Sequence, residues 1–178
     1  ALALTLNFIR FLPVLAEEQD RSHWASELGG AQELHPEGKV TTLLDANVLI
    51  WGFGSIGKET ARLFKAFGSH VTGVARSEGN RNGFPVITED QMGEYLPETD
   101  VLVMILPTSD KTEQVLNAEV LKQLPARAFV INVGRGSTVN EPDLMEALNS
   151  GNLAGAALDV VSREPLPAEH PLWGTKNL

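Results

Sequence analysis

The stretch that most restricts what this chain can become is Trp51-Gly52-Phe53-Gly54-Ser55-Ile56-Gly57-Lys58. Apolar Val48-Leu49-Ile50 stands before it and Glu59-Thr60-Ala61-Arg62-Leu63-Phe64-Lys65 follows, so the stretch reads as strand, glycine turn and helix. In a G-x-G-x-x-G at such a junction, Gly52 makes the tight turn, Gly54 lets a pyrophosphate approach the backbone, and Gly57 lets helix and strand pack closely. Free N–H groups at the helix start then attract phosphate. Three glycines alone are weak evidence; alternating strands and helices downstream give them meaning.

That alternation is present. Strands are expected over 47–51, 70–74, 101–106, 128–133 and 155–159. Helices are expected from the glycine turn to about Phe67, then over 88–95, 113–124 and 141–149, with Gly68 and Gly151 as stops and 78–83 as loop. The run Val101-Leu102-Val103-Met104-Ile105-Leu106, bounded by Asp100 and Pro107, has the pattern of a parallel strand buried on both faces. The order implies an α/β fold of the Rossmann type: a doubly wound parallel sheet in three α/β/α layers, with ligands at the carboxyl ends of the strands. Residues just past those ends become the candidates: Gly52 to Gly57, Ala75-Arg76-Ser77, Pro107-Thr108, Gly134-Arg135-Gly136, and Asp159 with the loop to Glu164.

Ahead of this core, residues 1–24 are expected to form a helix kinked or interrupted at Pro13, and residues 25–45 a loop containing Gly29-Gly30, Pro36 and Gly38. The opening apolar run is neither signal peptide nor membrane span. It has no basic lead-in, Thr5, Asn7 and Arg10 interrupt it, and it falls short of the roughly 20 residues a span needs. Its apolar excess needs a partner surface, such as another subunit or domain. A start on Ala1 with no lead-in is expected of a piece of a longer protein.

Composition narrows the function. With 178 residues, 43% hydrophobic and 21% charged, the chain is large enough for one full core and reads as a single domain. Fourteen Lys and Arg against 23 Asp and Glu leave a net charge of -9 and no basic stripe, which argues against nucleic acid as partner. The absence of cysteine excludes disulfides and thiolate chemistry and fits a reducing, cytoplasmic setting. The four histidines, His23, His35, His70 and His170, are too dispersed for a local metal motif.

An NAD-binding domain usually carries Asp or Glu about 20 residues past the glycine turn, where it holds the adenosine ribose. Here Ala75, Arg76 and Ser77 occupy that place. A carboxylate would repel a 2′-phosphate, whereas a guanidinium grips one through charge-assisted hydrogen bonds, so NADP(H) is expected over NAD(H). The plainer alternative leaves Arg76 as a solvated loop residue. Arg135, between two glycines after a buried strand, offers a planar fork suited to a 2-oxo acid carboxylate. On spacing alone, Asp159 and Glu164 read as surface carboxylates as readily as site residues.

Five blocks together resemble the D-isomer-specific 2-hydroxyacid dehydrogenases. They are Gly52 to Gly57, Leu106-Pro107-Thr108 through Thr112, Ile131-Asn132-Val133-Gly134-Arg135-Gly136, Leu153 to Val160, and Glu164-Pro165-Leu166. The resemblance implies that Ser55 and Ile56 meet the pyrophosphate and that Pro107, Thr112, Val133 and Gly134 line the cofactor groove. It also implies that Asp159 holds the nicotinamide carboxamide, that Arg135 is the catalytic arginine, and that Glu164 is the partner of a catalytic histidine. It implies a homodimer through the first helix as well. In that family the histidine follows the glutamate by roughly two dozen residues; here only fourteen follow Glu164, and His170 matches a loop. The substrate domain and the acid are thus expected outside this chain, which is expected to bind cofactor but turn over little. The expected activity of the parent is reduction of glyoxylate or hydroxypyruvate. A phosphoglycerate dehydrogenase using NAD(H), or a co-repressor-like dinucleotide-binding module, is the alternative.

Overall fold

The computed structural model describes residues 1–28 and 34–178, so the part of the expected 25–45 loop at 29–33 lies outside the described residues. Seven strands form one sheet: β1 (Asn47–Trp51), β2 (His70–Val74), β3 (Gly79–Arg81), β4 (Phe84–Ile87), β5 (Val101–Met104), β6 (Phe129–Asn132) and β7 (Gly155–Leu158). They lie in the order β3-β4-β2-β1-β5-β6-β7, parallel throughout except for the β3–β4 hairpin. The chain moves outward from β1 through β2 to β4, then passes back to β5 and continues the other way. That reversal puts the switch point between β1 and β5, where a doubly wound sheet opens its ligand crevice.

The pleat sends alternate side chains to opposite faces, and both faces are covered. Val48 and Ile50 of β1 and Val101 and Val103 of β5 face one side, packed by Ala61 and Phe64 of α3 (Ser55–Ala66) and Ile9 of α1 (Leu2–Ile9). Leu49, Trp51, Leu102 and Met104 face the other, under Met92 of the 3-10 turn Glu89–Glu94, Leu121 of α4 (Ala118–Leu121) and Leu144 of α5 (Glu141–Asn149). Each such side chain contributes about 1.5–3 kcal/mol by leaving water, which is why the expected Rossmann-type α/β layers form from these apolar runs.

Several local expectations are revised. The first segment is two helices, α1 and α2 (Leu12–Asp20), and the break falls at Phe11 (φ 55°) rather than at Pro13. Pro13 sits in the first turn of α2, where its missing N–H costs nothing. The apolar face of α1 finds its partner within the domain: Ile9 is buried and the Phe8 ring lies 5.8 Å from Phe129. By contrast α2 buries no residue.

Residues 78–83, expected as loop, instead supply β3, which turns through Asn82 (φ 55°) and Gly83 (φ 85°) into β4. Asn tolerates and Gly favours that left-handed backbone, as a two-residue hairpin requires. Residues 113–117 are not helical. Gln114 has φ 47° and Leu116 bridges to Val139, so only α4 remains of the helix expected over 113–124. The segment after Thr88 is a 3-10 turn, opened by the Thr88–Gln91 capping box. Among the described residues no helix is long and apolar enough to cross a membrane.

Candidate functional site

The glycine turn has the form its three glycines demand. Gly52 adopts φ 108°, and a Cβ there would meet the Ile105 carbonyl oxygen at 2.5 Å, so the loops after β1 and β5 touch backbone to backbone. At Gly57 a Cβ would lie 2.3 Å from the Gly52 carbonyl oxygen, which keeps α3 close against β1. Gly54 differs: nothing lies within 4 Å of its Cβ position, so its missing side chain leaves open space above the backbone. Beside that space α3 begins with no side-chain cap and no acidic residue in its first turn, while Ser55 and Ile56 are exposed. Its first N–H groups and positive dipole end remain available to an anion. An open cradle beside an uncapped helix start fits a pyrophosphate.

At the end of β2, Arg76 and Ser77 are exposed, and Arg76 forms no ion pair with another described residue. No carboxylate stands among residues 75–77, where β2 ends. Sequence reasoning missed Arg81, which donates from Nη1 to the Phe53 carbonyl (3.1 Å) and from Nη2 to the Ser77 carbonyl and Oγ (3.0 and 2.8 Å).

Beyond β5, Thr112 folds its loop back on itself. Its Oγ1 donates to the Pro107 carbonyl at 2.7 Å and accepts from the Ser109 N–H at 2.8 Å. Gly134, just past β6 and Val133, lies against Leu106: a Cβ would stand 2.8 Å from that residue's N and O. Gly136 lies still closer to the loop after β7, where a Cβ would overlap the Val161 carbonyl at 1.9–2.0 Å. The loops after β1, β5, β6 and β7 are therefore linked through successive backbone contacts along the carboxyl edge of the sheet.

Arg135 stands on this edge, exposed, with Nη1 donating to the Gly134 carbonyl at 2.8 Å. Two buried side chains that sequence reasoning had not singled out hold its loop. Asn132, fully buried, accepts from Gly134 N–H (3.0 Å) and donates to the Arg135 carbonyl (3.0 Å); Thr138 donates to the same carbonyl at 2.7 Å. A third is Glu141 at the start of α5, also buried, whose Oε1 accepts from Ser162 N–H at 2.8 Å. Buried polar atoms that leave water must be paired in this way, and these pairs fix the loops carrying Arg135 and Glu164.

Asp159 is exposed at the end of β7, and Glu164 accepts from Val161 N–H at 3.1 Å. Both border an open cavity of about 350 Å³ with Leu158, Leu166 and Trp173. None of the four histidines pairs with Asp159 or Glu164. His170 accepts from Leu172 N–H and faces Glu141 at 3.7 Å; His70 faces Asp45, His23 faces Glu18, and His35 meets the Leu44 carbonyl. A second cavity, near 400 Å³, opens beside Trp51 and Met92, where burial raises the Glu89 carboxyl above its ordinary value.

A doubly wound sheet with a phosphate cradle at its first crossover defines the class: a dinucleotide-binding α/β domain. Within that class, the chain belongs to the D-isomer specific 2-hydroxyacid dehydrogenase family, whose NAD binding domain matches residues 2–178. It is 37% identical over 157 residues to a glyoxylate/hydroxypyruvate reductase A of Escherichia fergusonii, covering 85% of this chain and 50% of that protein. The NADPH-dependent glyoxylate/hydroxypyruvate reductase of Sinorhizobium meliloti, solved with NADP and sulfate, is 30% identical with a TM-score of 0.84. That match covers 99% of this chain and 54% of that one. A phosphoglycerate dehydrogenase from Lactobacillus plantarum is 31% identical with a TM-score of 0.87, with the same coverage of 99% and 54%. The chain thus spans about half the length of the curated relatives it matches.

Proposed function

We propose that residues 1–178 form the cofactor-binding half of an NADP(H)-dependent oxidoreductase that interconverts 2-oxo acids and D-2-hydroxy acids, with glyoxylate and hydroxypyruvate as the substrate class. The observation that carries this reading is the backbone contact between Gly136 and Val161-Ser162, which joins the Arg135 loop to the Glu164 loop beside the cofactor cradle. A guanidinium and a carboxylate are thereby held at one edge of the groove without neutralising each other.

In this mechanism Gly54, Ser55 and Ile56 hold the pyrophosphate through backbone N–H groups. Arg76 and Ser77 take the 2′-phosphate, and Pro107, Thr112, Val133 and Gly134 form the groove wall. Asp159 accepts from the carboxamide. The nicotinamide, when bound, supplies or accepts the hydride. Arg135 holds the substrate carboxylate through its fork and draws electron density from the adjacent carbonyl. Glu164 orients and charges a histidine acid. None of the four histidines pairs with Glu164, so that acid is assigned to a segment beyond residue 178 and the second wall of the cleft to a separate substrate domain.

The choice of NADP(H) over NAD(H) rests on Arg76 and Ser77 standing where a carboxylate would otherwise hold the ribose. A homodimer in the cytoplasm completes the proposal. It is supported by the apolar Leu12, Val14 and Leu15 on α2 and by Trp24, which is 87% exposed. Calorimetric titration with NADPH and NADH tests the cofactor assignment. Tighter NADPH binding that Arg76→Ala abolishes supports it, and equal or tighter NADH binding rejects it. Reduction of glyoxylate by residues 1–178 at the rate of a complete enzyme would reject the assignment of the acid to a position outside these residues.

A further inference from the structure

Among the described residues, Arg81 is the one guanidinium that bridges the two loops to which the phosphates of the cofactor are assigned. One of its terminal nitrogens donates to the Phe53 carbonyl, between Gly52 and Gly54 in the turn after β1. The other donates to both the carbonyl and the hydroxyl of Ser77, in the loop after β2 and next to Arg76. The bridge is built from both sides. The Phe53 ring is buried, lies against Gly73 of β2, where a Cβ would come within 2.3 Å of it, and packs edge-on against Phe84 of β4 at 6.0 Å. Phe84 is the strand partner of Arg81. The hairpin is closed by the Asn80 side chain accepting from Gly83 N–H at 2.9 Å. Farther along the same loop, Glu78 accepts from Gln91 of the following turn at 3.1 Å.

All three acceptors of Arg81 are neutral, and no described carboxylate forms an ion pair with it. Its positive charge therefore stays uncompensated beside Ser77. A planar fork engaging two loops also restricts both in distance and direction, which a flexible ammonium cannot do.

We propose that Arg81 is a positioning residue for cofactor choice: it ties the Arg76-Ser77 loop to the glycine turn, so that the 2′-phosphate and pyrophosphate contacts keep one fixed spacing. This rests on the reading of Arg76 and Ser77 as 2′-phosphate contacts. NADH carries no 2′-phosphate for Arg76 and Ser77 to hold, whereas NADPH needs that contact in register with the glycine turn, so loss of the tie falls mainly on NADPH.

The test is calorimetric titration of this chain and of Arg81→Met, Arg81→Lys and Arg76→Ala with NADPH and with NADH, beside thermal melts of each. The wild type is expected to prefer NADPH. Arg81→Met should weaken NADPH binding by about tenfold, the scale of lost hydrogen bonds to a charged group, while NADH affinity and melting temperature stay near wild type. Arg81→Lys should behave like Arg81→Met. Full recovery of NADPH affinity in Arg81→Lys would reduce the effect to charge and overturn the proposal, as would equal losses for NADPH and NADH. A preference for NADPH that Arg76→Ala removes and Arg81→Met leaves intact would overturn the tie alone. A wild type that does not prefer NADPH would overturn the reading of Arg76, and the proposal with it.

Discussion

The two ends of the groove are held by different means. At the glycine turn, position is set by close backbone contact: Gly52 against Ile105 and Gly57 against the Gly52 carbonyl, with no side-chain hydrogen bond capping α3. At the β6–β7 end the Gly136–Val161 backbone contact is joined by buried polar side chains that hold the loops from within. Asn132 and Thr138 hold the Arg135 loop, and Glu141 holds the loop leading to Glu164. The contrast follows from the tasks assigned to each end. A pyrophosphate is bound by backbone N–H groups, so the backbone itself must lie open and fixed. Substrate chemistry needs a long side chain aimed from a loop, and a loop is aimed by satisfying its carbonyls and N–H groups from within.

The contrast predicts different failures. The largest effect is expected from Gly57→Ala. With its Cβ 2.3 Å from a backbone oxygen, α3 must move, at a cost of about 3 kcal/mol or more in stability and with loss of cofactor binding. Chemical denaturation and calorimetry on the same preparation measure both. Unchanged stability in Gly57→Ala would break the claim that this end is held by contact.

Asn132→Ala comes next. It strands the Gly134 N–H and removes one of the donors to the Arg135 carbonyl, for about 1–3 kcal/mol. Assayed in the intact enzyme, it should lower turnover far more than NADPH affinity. A fall confined to cofactor affinity would mean that the two ends are not separately held.

Glu89→Gln, which takes part in neither set of contacts, should have the smallest effect and serves as a reference. Burial raises the folded-state pKa of Glu89, so its ionised form opposes folding above that pKa, and the penalty vanishes below the unfolded value. Thermal melts should therefore show Glu89→Gln slightly stabilising at neutral pH and neutral at low pH. Stabilisation that persists unchanged into acid would contradict that sign.

The same contrast decided what was legible in the sequence. The glycine turn, the buried runs of β1, β5 and β6, and α5 with its Gly151 stop stand out because glycine spacing, continuous apolar stretches and helix-ending glycines are local signals. The β3–β4 hairpin was overlooked because Gly79-Asn80-Arg81 lacks apolar alternation, although Asn82-Gly83 is a strong hairpin turn signal. The helix expected over 113–124 was too long because a residue such as Gln114 gives no local warning that its backbone turns left-handed to let Leu116 bridge Val139. Arg76 and Arg135 were found as candidates from their place after strands. Arg81, Asn132 and Glu141 were not, because what makes them matter is their partners: Phe53 lies 28 residues from Arg81 and Ser162 lies 21 from Glu141, while the clue at Asn132 is burial.

Gly54→Ala tests the central claim, a preformed backbone cradle for pyrophosphate, most directly. Gly54 has φ -85° and ψ -154°, which alanine adopts, and its Cβ would meet nothing within 4 Å. Titration with NADPH beside a thermal melt separates fold from cradle. The account predicts a melting temperature at or slightly above wild type together with a loss of NADPH affinity of tenfold or more, on the order of 1.4 kcal/mol. Wild-type affinity in Gly54→Ala would contradict it, because the space above Gly54 would then hold no part of the cofactor.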